Sequence, residues 1–142
     1  MAIIDKPTDH FNTKIYTGTG SSNAQTGVGF QPDLLWFKNR GSALNHMWFD
    51  SVRGIDKYFY GNLAEAEGTS ATILTAVGSD GFTVGANNNV NENTKGIVSW
   101  NWKAGGTAVS NTDGSITSSV SANTTSGFSI VSWTGTGADG TV

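Results

Sequence analysis

The sequence predicts an all-β fold: an antiparallel two-sheet sandwich, jelly-roll or lectin-like, with the start of a second, similar repeat at its end. Three observations predict it. The apolar residues fall in short bursts separated by Gly, Ser, Asn and Asp, the punctuation of strands and turns. The bursts recur at spacings of about 10–15 residues and give roughly eight or nine strands, the number a two-sheet sandwich uses. One phrase also occurs twice, as YTGTG at 16–20 and as WTGTG at 133–137.

The elements follow in order. FNTKIY (11–16) alternates and reads as a strand. DLLWFKN (33–39), just after Pro32, is a continuous apolar run that suits a central strand covered on both faces. HMWFDSV (46–52) and the aromatic KYFYGN (57–62) follow as strands. SATILTAV (70–77) alternates weakly, and SDG (79–81) turns the chain into GFTVG (81–85). KGIVSWNWKA (95–104) is the clearest strand. Its period of two puts Val98, Trp100 and Trp102 on one face and Ile97, Ser99, Asn101 and Lys103 on the other. The tryptophan face is expected to be the buried one. GSITSSVSA (114–122) and GFSIVSW (127–133) close the series. Only NLAEAE (62–67) has helical composition, and it is too short to be stable without packing.

The repeated phrase sets the domain bounds. Phe11 aligns with Phe128, Tyr16 with Trp133 and the first TGTG with the second, at a fixed offset of 117 residues (128 less 11). Self-similarity at a fixed period marks repeated units. The expected organisation is an N-terminal arm (1–10), a first β-sandwich repeat (11–106) and a linker or connecting strands (107–127). The first strand of a second, truncated repeat follows at 128–142. Phe128 and Trp133 are then expected to contact another domain or subunit, because their own sheet partners would lie beyond Val142.

Composition narrows the chemistry. With 19 Gly in 142 residues and only 13% charged residues, the chain still has five Trp, seven Phe and three Tyr, enough apolar area for a core. There is no cysteine, hence no disulfide and no thiolate metal site. The net charge of −3 argues against a nucleic-acid partner. No apolar run approaches the ~18 residues of a membrane-spanning helix. MAIIDKPTDH lacks the basic and apolar regions of a secretory signal.

Catalytic and metal readings find little support. His10 and His46 sit in unrelated settings, with no nucleophile elbow or triad order. Glycosidases of sandwich fold need two carboxylates ~5–9.5 Å apart across a cleft. The one close acidic pair, Glu65 and Glu67, falls in the stretch least suited to a strand. No cofactor is expected. Calcium is the one alternative, through the oxygen donors of Asn87 to Asn93 with Asp80 upstream, though asparagine's tolerance of left-handed turns explains the tract without a metal. The TGTG phrases lack the further Gly and the Lys of phosphate loops and read as tight turns. For a glycan or protein partner, Tyr58 and Tyr60 offer rings, and Asn87, Asn89 and Asn91 offer amides.

The motifs taken together carry a resemblance. YTGTG (16–20), VGFQPDLLWFKNR (28–40), FDSVRG (49–54), SDGFTVG (79–85), VSWNWKAGG (98–106) and SNTDGSITSSVSANTTSGFSIVSWTGTG (110–137) cover nearly the whole chain. As a set they resemble a repeated domain of unassigned biochemical function found in tail-fibre-like virion proteins of marine bacteriophages. In that family the domain is typically followed by another that opens much as this chain's end does. The resemblance implies a non-enzymatic structural component of a phage virion, of a tail fibre or tail appendage, assembled in the host cytoplasm. Its partners would be other virion proteins and further copies of itself, a trimer being favoured for a fibre. With the first motif opening almost at the start of this sequence, the expectation is that no separate tail-anchoring domain precedes it and that the first sandwich or the arm docks to the virion. The alternative is a lectin-like module binding a host-surface glycan. Neither reading involves nucleic acid or membrane insertion.

Overall fold

The computed structural model describes residues 4–142; the first three residues of the arm lie outside the described residues. Pro7 opens a single 3-10 turn, Pro7–Asp9. The strands are β1 (Phe11–Thr17), β2 (Asn23–Thr26), β3 (Leu34–Asn39), β4 (Met47–Asp50), β5 (Gly54–Tyr60), β6 (Gly68–Thr69), β7 (Leu74–Gly78) and β8 (Gly81–Val84). A one-turn helix, α1 (Asn88–Asn91), leads to β9 (Gly96–Trp102), β10 (Val109–Asn111), β11 (Ser118–Asn123) and β12 (Phe128–Trp133). NLAEAE is turn and irregular loop, not helix. β2 escapes the sequence pattern because NAQT is polar and its residues are only exposed or half-buried. It exists because β8 offers it a full antiparallel register.

All pairing is antiparallel. Six strands form one sheet in the order β1-β9-β3-β4-β5-β6, and β2-β8-β7 forms a second. The core lies between them and includes Tyr16, Leu35, Phe37, Met47, Phe49, Leu74, Phe82, Val84 and Ile97. The run DLLWFKN is a central strand as expected, but only one face is fully covered: Leu35, Phe37 and Asn39 are buried, while Leu34, Trp36 and Lys38 are half-buried on the opposite face.

β9 corrects the expectation about its faces. Ile97, Ser99 and Asn101 are fully buried and face the core, whereas Trp100 and Trp102 are half-buried on the outer side. Alternation splits the residues correctly but does not say which side meets the second sheet. On the outer face, the register aligns Trp100, Trp36, Trp48 and Phe59 in one row across β9, β3, β4 and β5. Successive ring centroids are 4.7, 4.8 and 5.8 Å apart, close to the ~4.8 Å spacing of neighbouring strands. Each inner ring is therefore covered by its neighbours. Arg53 closes the row, its guanidinium 4.8 Å from the Phe59 ring centroid.

A third sheet, β10-β11-β12, packs back on the sandwich. The Ser121 hydroxyl accepts the Gly105 amide at 3.0 Å and donates to the Gly106 carbonyl at 2.7 Å. Asn123 donates to the Lys103 carbonyl and meets His10 Nδ1 at 3.1 Å. Phe128 stacks on Trp102 with centroids 6.4 Å apart. Gly105 is needed at this crossing, since a Cβ there would collide with the Ala122 carbonyl.

Candidate functional site

The residues expected to meet a glycan part company in three dimensions. Tyr58 and Tyr60 are half-buried and pack on the edge of the core, Tyr58 lying 6.0 Å from Phe49. Asn87 caps α1, its Oδ1 accepting the Asn89 amide at 2.9 Å and Asn89 Nδ2 at 3.0 Å. Asn91 is fully buried and so is no surface contact. Its Oδ1 accepts the Thr19 amide at 2.9 Å and Asn23 Nδ2 at 3.0 Å, and its Nδ2 donates to the Gly85 and Ser21 carbonyls. It ties the first TGTG turn to the loop that follows β8. A buried amide with every position satisfied is a structural bracket.

Tyr58 and Asn87 do meet. They line a shallow hollow of about 350 Å³ together with Ser70, Thr72, Ile73 and Ala86. One ring, two hydroxyls and an amide are groups that a sugar can use. Tyr60 and Asn89 do not line it.

Several ionisable side chains are engaged in closing loops. The Asp80 carboxylate accepts the Gly27 amide at 2.9 Å and the Gly29 amide at 2.7 Å, and these bonds hold its pKa below the usual value. Glu92 is likewise held low by the Ser42 hydroxyl and the Asn39 amide. Asp33, buried, accepts the Ala104 amide at 2.8 Å and the Ser51 hydroxyl at 3.1 Å. Arg53 bridges Asp50 and Glu67 at 2.5 and 2.6 Å. His46 stands beside Trp36, and its partial burial, then Lys38, lowers its pKa. Among the described residues no three His, Cys, Asp or Glu side chains form a metal-binding group. Of the oxygen donors considered for calcium, Asp80, Asn87, Asn91 and Glu92 each accept a hydrogen bond within the fold.

The C-terminal sheet exposes what the sandwich hides. Register places Val109, Val120 and Val131 in one row, with Trp133 beside them opposite Ser118. Val109 is 66% exposed and Trp133 53%. Where β12 approaches the sandwich, Ile130 to Trp133 form one wall of a hollow of about 240 Å³, and Asp50 and Arg53 form the other. β12 pairs only with β11, so its second edge is open. It contains no charge and no proline, the residues that usually protect an edge.

A family model, domain of unknown function (DUF7483), matches residues 6–142. The chain belongs to this family. No curated protein and no solved structure matches it. The DUF7483 match takes in both TGTG phrases and the third sheet. Two features of this DUF7483 domain escape a reading of the sequence: the aromatic row and the Asn91 bracket. The row has a faint signal, since Trp36, Trp48 and Trp100 each stand mid-strand. The bracket has none, because its bonds reach residues as many as 72 positions away.

Proposed function

We propose that this DUF7483 domain is a non-enzymatic structural component of a phage virion, part of a tail fibre or related appendage, whose sandwich docks to other virion proteins. The observation that carries an assembly role is the uncovered apolar face of the third sheet, with Val109 of β10 66% and Trp133 of β12 53% exposed and the second edge of β12 open. Exposed apolar surface next to an unprotected edge is what a protein buries on assembly. The phage setting rests on the resemblance of the quoted motifs, and with it the expectation of a homo-oligomer, a trimer in a fibre. The test is gold-labelled antibody against the domain on gradient-purified particles, viewed by electron microscopy. Label along a tail appendage supports the reading. Particles free of the chain by both labelling and mass spectrometry overturn it.

A lectin-like role is favoured by one observation, the meeting of Tyr58 and Asn87 with Ser70 and Thr72 in the hollow described above. A glycan array separates the two readings. Binding that Ser70→Ala with Thr72→Val abolishes, in a protein of unchanged melting temperature, places recognition there. A blank array removes the lectin role.

A further inference from the structure

The TGTG phrase folds the same way twice, but in two different environments. In the first copy, the Thr19 hydroxyl donates to the Ser21 carbonyl at 3.2 Å and accepts the Ser21 amide at 3.4 Å. In the second, the Thr136 hydroxyl donates to the Ala138 carbonyl at 3.4 Å and accepts the Ala138 amide at 3.4 Å. The closing glycines share a left-handed backbone, with φ of 69° at Gly20 and 76° at Gly137. Left-handed φ favours glycine, so the last residue of the phrase is explained in both copies.

The first glycine of the phrase is explained in only one. A Cβ at Gly18 would collide with the Glu92 carbonyl oxygen, so glycine is required there. At Gly135 nothing lies within 4 Å of a Cβ and φ is not left-handed. Within this molecule no steric or backbone reason calls for glycine at 135. The backbone tells the same story. The Gly18 amide donates to the Lys95 carbonyl at 2.8 Å, the Thr94 amide donates to the Gly18 carbonyl at 2.9 Å, and the Gly20 amide donates to the Asn91 carbonyl at 2.9 Å. Among the described residues, the backbone amides at 135–137 make no equivalent bond. The preceding aromatics differ in the same sense. Tyr16 is 8% exposed and its hydroxyl donates to the Val90 carbonyl, whereas Trp133 is 53% exposed. An indole keeps a ring donor for such a carbonyl.

We propose that Phe128–Gly137 is a preformed donor strand. It docks on the β9 edge and the Asn91–Glu92 turn of a second sandwich of this same type, in the place that β1 holds in the first. The occupant is identified by this structure itself. A strand of this sequence pattern, followed by this turn, takes β9 as its neighbour over seven paired positions. The acceptor is therefore the β9 edge of another copy of this chain from which its own β1 has been withdrawn. This deepens the assembly role proposed above, but its test uses purified protein and needs no virion, so the two readings fail separately.

The test is capture in trans. The full chain is co-expressed with a tagged chain that starts at Ser21 and so lacks β1 and its turn. The two are expected to co-purify one to one. Gly135→Val in the full chain is expected to leave its own melting temperature unchanged, because the position is open, and to reduce capture at least tenfold. A second variant keeps the proposal falsifiable if the shortened chain does not fold. The full chain is given the β12 sequence in place of β1, through Asn12→Ser, Thr13→Ile, Lys14→Val, Ile15→Ser and Tyr16→Trp. It is expected to fold cooperatively. Absence of capture by a folded acceptor, capture undiminished by Gly135→Val, or failure of the exchanged chain to fold overturns the proposal.

Discussion

The Asp80 carboxylate sits between the amides of Gly27 and Gly29 and fastens the loop after β2 to the turn before β8. Its pKa is lower in the folded state than in the unfolded chain, where it is about 3.9. A depressed carboxylate pKa contributes stability that is present above the unfolded value and is lost as pH falls through the folded one. Glu92, held low by Ser42 and Asn39, acts in the same direction. Urea midpoints are therefore expected to fall as pH drops below about 4, and Asp80→Asn is expected to flatten part of that fall. An identical acid profile in the variant would show that the two glycine bonds do not distinguish the ionised state. Trp36 allows a second prediction at this scale. Its ring is flanked by Trp48 at 4.8 Å and Trp100 at 4.7 Å. Trp36→Ala removes the middle of the row and is expected to cost about 3 kcal/mol, the low end for a large aromatic because the ring is only half-buried. Thermal denaturation should register this as a drop of roughly 10 °C.

Among the elements, the third sheet can be separated from the core. The residues of the hydrophobic core cluster lie between positions 16 and 97. β10, β11 and β12 touch the sandwich through Ser121, Asn123 and Phe128, at its rim and on the outer Trp102. A chain ending at Gly106 is therefore expected to stay folded and monomeric, with a lower melting temperature because Trp102 loses the Phe128 ring. Loss of cooperative unfolding in that chain would mean that the third sheet is integral to the sandwich. β9 shows how an element acquires two different faces. Its inner face is small and polar at Ser99 and Asn101, both fully buried. Asn101 Nδ2 donates to the Asn12 carbonyl at 3.1 Å and meets the Ser99 hydroxyl at 3.1 Å. A buried polar pair that bonds the neighbouring strand fits beneath the second sheet, which leaves the tryptophans to the outer side.

For the molecule as a whole, the carboxylates are distributed to hold loops. Glu67 is engaged by Arg53 at 2.6 Å and Asp50 by the same side chain, while Asp33 and Asp80 accept backbone amides. No hydrolysis of polysaccharide is expected from the pure protein, as read by reducing ends. Release that Glu65→Gln or Glu67→Gln abolishes would make the domain an enzyme. The same distribution gives the assembly reading its place. On the third sheet, Val109 and Trp133 are left exposed.

The class of fold was legible in the sequence. Alternation and turn residues are local properties, so the strands at 11–17, 34–39, 81–84, 96–102 and 128–133 could be read from the chain. The 117-residue echo was also legible, because it needs only two stretches of sequence to be compared. Tertiary structure alone decided which face of each strand meets the core. A period of two separates the faces without ranking them, and here the larger residues of β9 lie outside. It also decided the fate of the asparagines. Asn87 and Asn91 are alike in sequence, yet one caps a helical turn beside an open hollow and the other is buried, bonded to the distant 19–23 segment and to Gly85. That difference depends on long-range packing, which no local pattern encodes.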